Sequence, residues 1–177
     1  MKTDYLVIST SLNPDSKSRL LASQAFECWK GEGRVEYIDL KDYALPVCDG
    51  DACYSNPDVI ALTEKIKQAS AILLAVPVYN YASGASAKNL IELTGSAWEE
   101  KVVGFLCAAG GRSSYMAILG LANSLMLDFR CLINPRFVYA DHSAFGANDT
   151  IDAEVSRRIR ELVTSTTNIT GRVASKL

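Results

Sequence analysis

Apolar residues follow two alternating rhythms along this chain. Short unbroken runs have the length and content of strands buried on both faces: Tyr5 to Ser9 (YLVIS), Ala71 to Val76 (AILLAV) and Lys101 to Ala108 (KVVGFLCA). Val35 to Asp39 (VEYID) alternates like a strand near a sheet edge, and Arg136 to Ala140 is a further strand candidate. Between these lie amphipathic stretches of helical period. Leu20 to Trp29 continues as a helix. Asn56-Pro57 reads as a helix start, a cap followed by proline at the first helical position, and Val59, Leu62, Ile66 and Ala69 then line one face. Ala85 to Leu93 and Ser114 to Phe129 read as helices. Ile151, Val155, Ile159, Leu162 and Val163 mark a last amphipathic helix, after which the polar tail from Thr164 to Leu177 is expected to fray.

Strand and helix thus alternate about five times. That order predicts an α/β fold with a parallel sheet covered on both faces. With 177 residues and no internal repeat or linker, the chain is expected to form a single domain, against a usual ~150 residues per domain. In open parallel sheets, ligands sit outside the carboxyl ends of the strands, near the point where strand order reverses. The chemistry is therefore sought just after Ser9, Val76 and Ala108.

Composition narrows the classes of function. Apolar residues make up 49% of the chain, enough for a full core, and the formal charge is −2, which gives no basic field for nucleic acid or an anionic membrane. No apolar run approaches the ~18 residues of a membrane span. The start, MKTDYLVIST, is too short in its apolar part for a secretory signal, so a cytoplasmic location is expected. Five cysteines without a CxxC pair argue against a disulfide framework; Cys107 reads as core, and Cys48 and Cys53 as loop thiols. A single histidine, His142, excludes a His-rich zinc site and disfavours a Ser-His-Asp triad.

Three loops follow the three apolar strands. The first, STSLNPDSKSRLL (residues 9 to 21), carries four serines, a threonine and an asparagine ahead of a helix, and no glycine. Hydroxyls and amides at a helix N-terminus suit a terminal phosphate, although plain N-capping by Ser16 or Ser18 explains the same residues. The second, PVYNYASGASAKN (residues 77 to 89), places flat side chains at a strand end beside small residues, which suits a planar heteroaromatic ring. The third, AAGGRSSYMA (residues 108 to 117), pairs two glycines that permit unusual backbone angles with Arg112, a positive charge for an electron-rich ring. Either of these loops alone could be an ordinary surface turn. Together on one edge they outline a mononucleotide site.

The stretches VISTSLNPDSKSRLL, AVPVYNYASGASAKNLIEL and KVVGFLCAAGGRSSYMA resemble the NADPH-dependent FMN reductase family, flavodoxin-like flavoproteins that include quinone and chromate reductases. The resemblance runs from about Tyr5 to Ala140, and P-x-Y-N followed by Gly and Lys-Asn is its most specific part. It implies a flavodoxin-like three-layer sandwich with a five-stranded parallel sheet in order 2-1-3-4-5. By the same resemblance, FMN would have its phosphate at Ser11, Asn13, Ser16, Ser18 and Arg19. Its ring would lie at Pro77, Val78, Tyr79, Asn80, Tyr81 and Gly110, Gly111 and Arg112. The chain departs from the common pattern in three places. Thr10-Ser11-Leu12-Asn13 stands where many members have Gly-Ser-x-Arg, Val78 where many have Glu, and Asn80-Tyr81-Ala82 where many have N-G-S.

The implied activity is hydride transfer from NAD(P)H to flavin, with electrons passed on to free flavin, a quinone or another small acceptor. No side chain is then needed as a catalytic base. A flavodoxin-type electron carrier and a non-enzymatic flavin-binding sensor are the rival readings. Assembly is expected as well. On Ser114 to Phe129, a face of Ile118, Ala122, Leu125, Met126 and Phe129 should pack on the sheet. A second stripe of Met116, Gly120, Asn123 and Leu127 is then left for a neighbouring subunit. A homodimer or homotetramer is the expectation, in agreement with the family.

Overall fold

Successive side chains of the central strands point to opposite sides of the sheet, and each side meets its own helices. The structure, a computed structural model, describes residues 4–175. Its strands are β1 (Asp4–Ser9), β2 (Arg34–Asp39), β3 (Ala71–Tyr79), β4 (Ala82–Ser83), β5 (Val102–Ala108), β6 (Leu132–Ile133) and β7 (Val138–Ala140). Its α-helices are α1 (Lys17–Trp29), α2 (Pro57–Gln68), α3 (Ala85–Thr94), α4 (Leu119–Phe129) and α5 (Ala153–Ala174). Leu6, Ile8, Ile72, Leu74, Val103 and Phe105 pack with α2, α3 and α4 on one face. Val7, Leu73, Ala75, Val102 and Leu106 pack with α1 and α5 on the other. Gly104 belongs to that second face, where an added Cβ would come within 2.7 Å of Leu73 and 3.0 Å of Leu162. Glycine is there because two leucines already fill the space.

The spine of the sheet runs β2-β1-β3-β5-β6, all parallel, with β7 also pairing with β5. This is the flavodoxin-like order expected, with β6 and β7 sharing the place of the fifth strand. Pro135 lies in the gap between them and has no N–H to give a ladder, while Asn134 still donates its amide to the Val103 carbonyl at 2.8 Å. The expected strand from Arg136 therefore shrinks to three residues. The two-residue β4 is an addition. It turns back antiparallel on the end of β3, pairing Val78 with Ser83 and Tyr79 with Ala82.

Two helix boundaries differ from expectation. Residues 113 to 118 form turns, and α4 begins only at Leu119. Its start has no side-chain cap, and short-range bonds from the Ala117 and Leu119 amides to the Ser114 and Met116 carbonyls precede it. Its buried face is Ile118, Leu121, Ala122 and Leu125, whereas Met126 points outward. At the other end of the chain, α5 continues to Ala174, so the stretch expected to fray from Thr164 is helical. Thr166 and Thr170 are buried there because each hydroxyl bonds back to the carbonyl four residues earlier, at 2.8 Å. Thr166 also accepts from Asn134 Nδ2 at 2.9 Å, and Thr167 accepts from the Trp29 indole at 2.9 Å.

Candidate functional site

The carboxyl end of β1 delivers Thr10 into a fixed position. Its amide and hydroxyl both donate to the Ala75 carbonyl, at 3.0 and 2.9 Å. The chain then folds back on itself before α1. The Asn13 amide donates to Ser11 Oγ at 3.3 Å, and the Asp15 amide to Asn13 Oδ1 at 3.0 Å. Ser16 caps the helix, accepting from the Arg19 amide at 3.2 Å, and its Oγ lies 2.9 Å from that of Ser18. Ser11, Ser16 and Ser18 are all buried. The first two amides of α1, on Lys17 and Ser18, come too early for an intrahelical acceptor. No acidic residue occupies the first turn of α1. A ring of buried hydroxyls around the positive end of a helix is a cradle for an anion with several acceptor oxygens.

Arg19 is placed otherwise than expected. Its guanidinium ion-pairs with Asp39 and donates to the carbonyls of Asn13 and Pro14, both at 2.8 Å, and of Ser11 at 3.1 Å. Asp39 is itself buried at the end of β2 and accepts the Lys41 amide at 3.1 Å. Arg19 thus braces the cradle loop from behind, with its guanidinium committed to protein groups.

The end of β3 carries buried Pro77 and Val78 and then exposed Tyr79. Asn80 and Tyr81 have φ of +50° and +63°, so they are the two central residues of a tight hairpin between β3 and β4 that needs left-handed backbone at both. Asparagine adopts this readily; a tyrosine rarely does. The Tyr81 hydroxyl reaches Ser113 at 3.2 Å and so ties the hairpin to the loop after β5. Gly84 closes the return. Its amide donates to the Pro77 carbonyl at 2.8 Å, and a Cβ there would meet the Pro77 ring at 3.0 Å. Two residues on, Ser86 Oγ donates to the Thr10 carbonyl at 2.5 Å, joining the second loop to the first.

In the third loop, neither Gly110 nor Gly111 adopts a left-handed backbone angle, and a Cβ at either would meet nothing within 4 Å. They leave open space. The Gly111 carbonyl accepts the Tyr139 hydroxyl. Arg112 is exposed and donates from Nε to Asp141 at 2.9 Å. The Ser143 hydroxyl and amide, followed by Arg112, hold the Asp141 carboxyl below the usual carboxylate range.

A cavity of about 230 Å³ joins these loops. It collects Ser11, Asn13, Ser16, Ser18, Pro77, Val78, Tyr79 and Gly110 from the expected set, and leaves Arg19, Asn80, Tyr81, Gly111 and Arg112 outside its lining. It also takes in His142 and Phe145, which the sequence pattern does not connect to the site. The available signal was positional, since both follow the last strand at the same edge of the sheet.

Fold and loops together define a flavodoxin-like protein with a candidate site at the switch point of its sheet. The chain belongs to the NADPH-dependent FMN reductase family, whose model matches residues 3–145. It is 30% identical over 131 residues to an NAD(P)H-dependent FAD/FMN reductase of Geobacillus thermodenitrificans, covering 72% of this chain and 71% of that protein. It is 27% identical over 156 residues to an NADPH:quinone oxidoreductase of Arabidopsis thaliana, covering 81% and 78%. Among solved structures it is similar to FerB, an NAD(P)H:(acceptor) oxidoreductase of Paracoccus denitrificans. That match has a TM-score of 0.79 and 20% identity, over 97% of this chain and 98% of the other.

Proposed function

We propose that this chain is an FMN-dependent NAD(P)H oxidoreductase that passes electrons to free flavin, a quinone or another small acceptor. The observation that carries this reading is the convergence of three buried serine hydroxyls on the positive end of α1, inside the cavity that also takes in the end of β3 and Gly110. Bound there, FMN would supply the two-electron chemistry, taking hydride from the nicotinamide and releasing electrons to the acceptor. Ser11, Asn13, Ser16 and Ser18 would hold the phosphate, with the Lys17 and Ser18 amides as free donors. Pro77, Val78, Tyr79 and Gly110 would border the ring. Those residues line one cavity with the cradle, smaller than most cofactor pockets and bordered by exposed Tyr79, where a nicotinamide or an acceptor would reach the ring.

A cradle for a terminal phosphate favours FMN over FAD. Heat-released cofactor that migrates as FAD on chromatography would contradict this. The central test is NADPH oxidation by the FMN-loaded protein with flavin, quinone and metal acceptors. A protein that binds FMN but fails to oxidise NADPH with any of them is a carrier or a sensor instead.

The assembly reading also stands as a proposal. Met116, in the turn before α4, and Leu119, Met126 and Leu127 on the helix are exposed, and a Cβ at Gly120 would meet nothing within 4 Å. A second copy covering this face is supported by that concentration of apolar surface. Light scattering with size exclusion at micromolar concentration should give a dimer or tetramer, reduced in mass by Gly120→Glu. A monomeric wild type would end the idea.

A further inference from the structure

The loop between β2 and α2 holds two thiols that the flavin reading does not use. Cys48 is partly exposed and Cys53 buried, and their sulfurs lie 4.0 Å apart. Four residues separate them, among them Gly50 at φ +78°, which turns the chain back on itself. Two further groups fix the thiols. Asp49 Oδ1 accepts the amides of Asp51 at 2.9 Å and of Cys53 at 3.1 Å, while the Cys48 amide donates to Asn89 Oδ1 at 2.9 Å on α3. The Tyr54 hydroxyl lies 3.7 Å from the Cys48 sulfur and can donate to its thiolate. Among the described residues no group of three or more His, Cys, Asp or Glu side chains is arranged to hold a metal ion, so a metal clasp does not account for the pairing.

We infer that Cys48 and Cys53 form a reactive dithiol, a modification site that hydrogen peroxide converts reversibly to an intramolecular disulfide. Cys48, the accessible member, attacks peroxide as the thiolate; an S–O bond forms, the O–O bond breaks, and hydroxide leaves. The Cys53 sulfur then attacks the Cys48 sulfur. The S–S bond forms, the S–O bond breaks, and the departing hydroxide leaves as water with the Cys53 proton. Two thiols and one peroxide give one disulfide and two waters. Burial, and then the neighbouring Asp49 carboxylate, raise the Cys53 thiol above its ordinary value, so Cys53 is the resolving rather than the attacking member. The remaining thiols are poor competitors. Burial pushes Cys107 up to about 12 and Cys131 up to about 11, and also raises Cys28.

The test uses the full chain, reduced and then exposed to hydrogen peroxide, and reads products that do not depend on flavin. The thiol count in denaturant should fall by two from five, the intact mass by two hydrogens, and peptide mapping should join Cys48 to Cys53. Dithiothreitol should restore all of it. In Cys53→Ser, dimedone should trap a sulfenic acid on Cys48; in Cys48→Ser, peroxide should leave the remaining thiols intact. Differential alkylation of the native wild type guards against a misfolded variant, since Cys48 should label first. An unchanged thiol count would overturn the inference. So would a disulfide between chains, or sulfinic acid on Cys48 with no bond to Cys53.

Discussion

The two halves of the candidate site are built on opposite terms. The cradle between β1 and α1 is buried, and each of its hydroxyls already has a partner in the protein. The lip formed by the β3–β4 hairpin and the Gly-Gly-Arg loop is exposed, with two residues in left-handed backbone and a single side-chain tie between the two loops. A phosphate is small, doubly charged and the same in every flavin mononucleotide, so a rigid, prearranged ring of donors suits it. A lip that must admit a nicotinamide and then an acceptor needs surface that is not already occupied.

This contrast can be broken by mutation. The largest effect is expected in the cradle. Ser11→Asp or Ser18→Asp sets a carboxylate beside the phosphate and should cost on the order of 2–4 kcal/mol of binding. That is about 30-fold to 1,000-fold in FMN affinity, read by quenching of flavin fluorescence. Unchanged affinity in both would reduce the cradle to a capped turn. Next comes Arg19→Met, which leaves buried Asp39 without its cation and three carbonyls without a donor. Urea unfolding should show a loss of about 2–4 kcal/mol, and a stability within error of wild type would mean that the brace is idle.

On the lip the expected effects are smaller and partly reversed in sign. Tyr81→Gly relieves a left-handed tyrosine, which costs roughly 1–2 kcal/mol, but it also adds chain entropy and removes the tie to Ser113. The net change should be a gain of no more than about 1 kcal/mol, with little change in FMN affinity. A clear destabilisation would show that the Ser113 contact outweighs the strain. Gly110→Ala should be the mildest, within about 0.5 kcal/mol of wild type by thermal melting, because nothing stands where the methyl goes. If FMN affinity nevertheless drops, the ring lies against that residue.

The parts of the molecule that could be read from the sequence share a physical reason. From Tyr5 to Ser9, Ala71 to Val78 and Val102 to Ala108 the strands are buried on both faces, so the residues are nearly all apolar or small and the run shows in the sequence. The cap at Asn56 is equally local, its Oδ1 accepting the Asp58 and Val59 amides at 2.9 and 3.3 Å. What stayed hidden depends on partners distant in sequence. Arg19 looks like a phosphate ligand until Asp39, on the next strand, takes it. Thr166 reads as part of a polar tail until Asn134, far earlier in the chain, donates to its hydroxyl at 2.9 Å. Asn80-Tyr81 lacks the Asn-Gly signature of its hairpin, and the backbone adopts the turn regardless.

The bond from the Trp29 indole to Thr167 spans 138 positions of the chain. Trp29 ends the helix whose other end forms the cradle, and its ring stacks on Tyr5 of β1 at 4.5 Å. A nascent chain that has emerged through Gly110 carries every hydroxyl and glycine of the site. It still lacks α5, against which α1 packs, and the sheet face they share lies open. Such long-range closure is slow to form and leaves apolar surface bare in the meantime. The cradle proposed for the flavin phosphate therefore depends on α5, a helix that contributes no residue to the cavity lining.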